Sequence, residues 1–126
     1  MELATCSYQE MRAEWGVAVA ISTKLPTYLF AYPWVHYPRL APRNLTIPPH
    51  DPEFERRYWE QLDDQTLEGI TTDLKQLQAS FAKSPEERVV LLCHEQREAE
   101  RTCHRRSFAR WWDARTGQFV PELGSS

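Results

Sequence analysis

Val17-Ala18-Val19-Ala20-Ile21-Ser22 carries no polar side chain until its last position. A strand with one wet face alternates apolar and polar residues. A strand that is apolar throughout is covered on both faces, which is the situation of a parallel sheet. Gly16 and Pro26 bound the run and keep it too short for a helix. A second apolar run, Val89-Val90-Leu91-Leu92-Cys93, follows two helical stretches. Strands alternating with helices predict an α/β domain built on a mostly parallel sheet flanked by helices.

The helical stretches are legible from their ends and their periods. Asp51-Pro52-Glu53 opens the first: Asp51 caps, Pro52 suits the first helical position, and Glu53 complements the dipole. Phe54, Tyr58 and Leu62 share one face, and Asp63-Asp64 ends or bends the helix. A second helix is predicted from about Thr66 to Ala82, with Leu67, Ile70, Leu74, Leu77 and Phe81 as its core stripe. A third covers about Cys103 to Arg115, anchored by Phe108, Trp111 and Trp112 and stopped at Gly117. Leu3 to Cys6 reads as a short strand or a frayed end. Phe119-Val120 reads as a closing edge strand, with Pro121 limiting further pairing.

Between the first strand pair and the first helix, residues 26–50 are rich in proline and carry Tyr28, Phe30, Tyr32, Trp34 and Tyr37. Proline removes backbone donors and holds the chain extended or turned. The aromatic rings of such a loop either pin it to the core or wall a pocket for a flat ligand or a partner.

The 126 residues suffice for one domain spanning 1–126, and a formal charge of -3 argues against nonspecific binding of nucleic acid over the whole surface while leaving room for a local basic groove. No apolar run approaches the roughly 20 residues that cross a bilayer, so no membrane partner is expected. The N-terminus shows no secretory pattern, and three cysteines are too few for a disulfide scaffold, so a reducing, cytoplasmic setting is expected.

The chemistry concentrates where the second apolar run ends. Cys93 and Glu95 lie at a strand's carboxyl end, the usual ligand edge of an open α/β sheet. Cys103, His104, Arg105 and Arg106 lie in the first turn of the last helix, where free backbone donors and the dipole favour anions and thiolates. Four readings stay open: a structural thiol with solvated arginines, an anion or nucleotide site, a redox pair of Cys93 and Cys103, and a metal site using both cysteines and histidine. The nine residues between the cysteines match no standard zinc spacing.

Leu92-Cys93-His94-Glu95, followed by Cys103-His104-Arg105, resembles the paired motif of the domain of unknown function 488 family. Ser7-Tyr8, the strand from Val17 to Ser22, Tyr37-Pro38-Arg39-Leu40-Ala41-Pro42 and Phe54-Glu55-Arg56-Arg57-Tyr58 follow in that family's order, whereas Ala18 and Lys24 depart from it. The resemblance implies a three-layer Rossmann-like domain and a site at Cys93, Glu95, Cys103, His104 and Arg105. The expected function is binding, with processing, of a phosphate-bearing ligand such as a nucleotide or nucleic-acid end. Cys103, Glu95 and His104 are the catalytic candidates; Arg105, Arg106 and Cys93 are the ligand contacts. No metal is expected and no cofactor is specified. The alternative is a noncatalytic protein-interaction module that uses the Pro/aromatic segment, with structural or redox-active cysteines.

Overall fold

A computed structural model describes residues 1–25, 30–43, 47–48, 51–94 and 104–124. Four strands, β1 (Leu3–Ser7), β2 (Val17–Ala20), β3 (Val35–His36) and β4 (Val89–Cys93), form one sheet in the order β1-β4-β2-β3. All three pairings are parallel. The helices are α1 (Pro52–Gln65), α2 (Leu67–Phe81) and α3 (His104–Thr116), giving the Rossmann-like α/β class expected. Leu3 to Ser7 is a fully buried strand, not a frayed end.

Every residue of β1, β2 and β4 is buried, as their unbroken apolar character requires. Their side chains divide by parity. Leu3, Val17, Val19, Ile21, Val89 and Leu91 join the core formed with all three helices. Ala4, Cys6, Ala18, Ala20, Val90 and Leu92 face the other way. Among the described residues no α-helix covers that second side. It is roofed by the irregular segments around Tyr8, Met11, Tyr32, Phe30 and Trp34. The third layer is therefore built from aromatic loop rather than helix, and the alanines of its sheet face give the rings room. Tyr32 fixes this roof by donating its hydroxyl to Tyr8 O at 2.8 Å, and Phe30 stacks on both Tyr8 and Tyr32. Within the described residues, then, the rings at 32 and 37 pin the segment to the core, and the segment also supplies β3, which no alternation in the sequence announces.

Gly16 opens β2 with φ of +145°, and a Cβ there would lie 2.4 Å from the Arg88 carbonyl oxygen. Only glycine allows β2 to approach β4 at that point. Asp51 caps α1 by accepting from the Glu53 amide at 2.9 Å, and Phe54, Tyr58 and Leu62 are buried as a stripe. α1 does not end at Asp63-Asp64; it runs on to Gln65. The break comes at Thr66, whose φ of 67° ends α1 while its hydroxyl caps α2 through the Gly69 amide at 3.0 Å.

Two expectations need correction. Phe81 does not complete the α2 stripe: it is the last residue of the helix, which ends at Ala82, and is 54% exposed. Phe119-Val120 forms no strand. Pairing begins beyond Pro121 as a single parallel bridge between Thr5 and Glu122 at the free edge of β1. Pro121 lacks an amide hydrogen but its carbonyl accepts from Thr5 N–H at 2.9 Å, and Leu123 N–H donates to Thr5 O at 2.7 Å. Among the described residues no helix is long and apolar enough to cross a membrane.

Candidate functional site

β4 lies between β1 and β2, so the carboxyl ends of three strands converge on one edge of the sheet. Tyr8 N–H donates to Cys93 O at 3.1 Å, and Ile21 N–H donates to Leu92 O at 2.9 Å. The first turn of α3 sits over this edge, fastened by two consecutive side chains. His104 Nε2 lies 2.9 Å from Ile21 O at the end of β2. A carbonyl only accepts, so that ring nitrogen carries the proton. Arg105 reaches the end of β4, where Nη1 is 3.0 Å from Cys93 Sγ and 3.3 Å from His94 O.

The far side of the Arg105 guanidinium is held by a carboxylate from the C-terminal segment. Nε donates to both oxygens of Glu122 at 3.1 Å, and Nη2 donates to Oε2 at 2.7 Å. Thr5 adds a hydroxyl donor to Glu122 Oε1 at 2.6 Å. Arg106 stands at 3.6 Å from the same carboxylate. Burial alone would raise the pKa of Glu122; hydrogen bonds from Arg105 and Thr5 and the two positive charges outweigh it, and the carboxyl is held below its ordinary value. Arg105 itself is 2% exposed. It is the buried centre of the cluster, not an open clamp.

The remaining predicted residues fall in different situations. Cys93 is buried and lies on the helix side of β4, following Leu91 by two. His104 is buried against the Tyr58 ring, at 5.9 Å between centroids. Its pKa is pushed down to about 4, chiefly by burial and further by Arg105 and His94, against the favourable contact with Ile21 O. A neutral imidazole that ties a helix to a strand end is a positioning group and holds its proton on the carbonyl side. Glu95 and Cys103 lie outside the described residues. The carboxylate found at Arg105 is Glu122.

Sequence reasoning missed Glu122 and Thr5, which come from the two extremes of the chain, and Cys6, whose thiol points to the opposite face of the sheet. Burial raises Cys6 to about 11, and the Glu122 and Glu10 carboxylates push it the same way against Arg105. It is a neutral core thiol. The polar parity of β1 was the available signal: Leu3 is followed on the helix side by Thr5 and Ser7, which marks the strand end where a polar cluster is met.

Beside the cluster a shallow groove of about 240 Å³ runs between α3 and residues 119–122. Ala109, Phe119 and Val120 give it an apolar floor, and Arg106, Arg110, Asp113 and Glu122 supply charge. Arg110 is engaged by Glu55 at 2.6 Å. Arg106 is not so provided for: its Nε is buried and meets no hydrogen-bond partner among the described residues. Also among the described residues, no three His, Cys, Asp or Glu side chains converge to hold a metal ion.

The chain matches no protein-family model, no curated protein and no solved structure.

Proposed function

We propose that this chain binds a phosphate-bearing ligand, a nucleotide or a nucleic-acid end, at the groove where Arg106 lies beside the Arg105–Glu122 pair. Arg106 is the observation that carries it. Among the described residues its buried Nε has no partner, and the ionic contact found there, at 3.6 Å, is to a carboxylate already taken by Arg105 and Thr5. Buried donors are normally satisfied, and a phosphate oxygen is the acceptor a guanidinium binds best. The Ala109, Phe119 and Val120 floor suits the apolar part of a nucleotide. Kinship with the domain of unknown function 488 family and a cytoplasmic setting belong to the same proposal. The buried, unbridged thiols of Cys6 and Cys93 suit a reducing compartment.

Calorimetric titration with pyrophosphate and with a nucleoside triphosphate tests this. Arg106→Gln should weaken binding at least tenfold, Arg56→Gln, on the exposed face of α1 away from the groove, should leave it nearly unchanged, and added salt should weaken it. Silence from the wild-type chain toward both ligands would sink the reading. Processing of the ligand falls to Cys103 as nucleophile or anion contact and to Glu95 as base. In that case Cys103 reacts with iodoacetamide well below about pH 8.5, while buried Cys6 and Cys93 wait for unfolding.

A second reading, the protein-interaction module, is favoured by a separate feature. An apolar groove of about 220 Å³ opens at the amino end of β2, lined by Val17, Ala18, Pro33, Trp34, Val35 and Phe81. Trp34→Ala and Phe81→Ser serve as controls in the titrations above. The phosphate reading leaves their affinity unchanged; loss of binding in these variants would shift the site to this groove.

A further inference from the structure

Resting on the phosphate reading above, we infer that Glu122 is the site's internal competitor: its carboxylate fills the Arg105 fork until an incoming phosphate displaces it. Residues 121–123 act as the latch. Carboxylate and phosphate present paired oxygens to a guanidinium in the same way, so one can stand in for the other. Glu122 occupies the fork fully, through Nε and Nη2 of Arg105, and is aimed there by the Thr5 hydroxyl. It brings a single negative charge to a place faced by two arginines, whereas a phosphate brings more.

The segment that carries Glu122 is lightly attached. One residue pair, Thr5 and Glu122, makes the whole bridge, through the Thr5 N–H to Pro121 O and Leu123 N–H to Thr5 O bonds. Upstream, Phe119 is 73% exposed, and Val120, buried in the helix-side core, is the fixed point from which residues 121–123 lift. Downstream, Gly124 takes a φ of +101°, a conformation that suits a pivot. Behind both, Gln118 is anchored to α3, its side-chain oxygen accepting from Trp112 Nε1 at 2.8 Å. The strap can therefore lift between fixed points without disturbing the helix. It sits on the edge of β1, and its release uncovers the outer side of that strand and the Arg105 fork and loosens the partial packing of Leu123.

Two measurements test this. In the wild-type chain, amide hydrogen exchange at Leu123 and Thr5, read by NMR, should accelerate at least fivefold when pyrophosphate saturates the site, because both amides belong to the latch. In titrations, Glu122→Gln and Thr5→Val should bind pyrophosphate tighter, about tenfold and about threefold. Saturable binding with unchanged or slowed exchange at Leu123 overturns the latch and leaves the phosphate reading standing. So does a folded Glu122→Gln variant that binds no tighter. A silent wild-type chain removes the latch together with the site. Should Glu122→Gln fail to fold, the exchange experiment on the wild type decides.

Discussion

His104 shows how one side chain couples the site to the stability of the fold. Its ring is buried, its Nε2 proton is committed to Ile21 O, and its pKa lies near 4 rather than at the 6.5 of a free histidine. The folded chain thus binds fewer protons than the unfolded chain between those values. Stability from this group is complete above about pH 6.5 and is lost as pH falls toward 4, by roughly 3 kcal/mol in all. Glu122 acts in a lower window, since its depressed carboxyl pKa contributes above the ordinary carboxylate range and fails below it. Thermal melts between pH 7.5 and 5 should show a falling midpoint that His104→Gln flattens. A wild-type midpoint constant over that range would mean that the ring is solvated.

At the scale of elements, the α1–α2 junction is one residue long. Thr66 takes a positive φ, which costs a non-glycine residue about 1–3 kcal/mol, and returns part of that by capping α2 with its hydroxyl. The two effects separate by substitution. Thr66→Ala removes the cap and keeps the unfavourable φ, so it should destabilise by about 1 kcal/mol in urea unfolding; Thr66→Gly, relieved of the φ cost, should be neutral or slightly stabilising. Equal losses in both would show that the turn is set by packing, not by backbone preference. The α1 start at Asp51, the α1 stripe and the Ile70–Leu74 centre of the α2 stripe were readable because caps and periodicity are local. Thr66 was not, since nothing in a threonine advertises a left-handed φ. The same limit hid β3: Val35–His36 is a strand only because Tyr37 N–H finds Ala20 O at 2.9 Å, a partner distant in sequence. The α1–α3 seam was likewise invisible. There Arg115 pairs with Asp63 at 2.9 Å and lies over the Trp59 and Trp111 rings.

For the whole molecule, the parallel class followed from two apolar runs, and the carboxyl edge of β4 was found from the residues that end it. Strand order and the identity of the Arg105 partner required the chain to be folded, because Thr5, Cys93, Arg105 and Glu122 come from distant parts of the sequence. The order β1-β4-β2-β3 carries its own prediction. Among the described residues β1 has no neighbour in the sheet but β4, apart from the single bridge at Glu122, and β2 reaches β1 through β4. A fragment of residues 1–88 should show no cooperative thermal transition, and a sharp melt from it would contradict the keystone role of β4. During synthesis the same geometry becomes a matter of timing. The ribosome releases two sticky apolar segments long before the strand that separates and satisfies them, so chaperones that shield nascent chains have the greatest hold on this protein in the interval before Cys93 emerges.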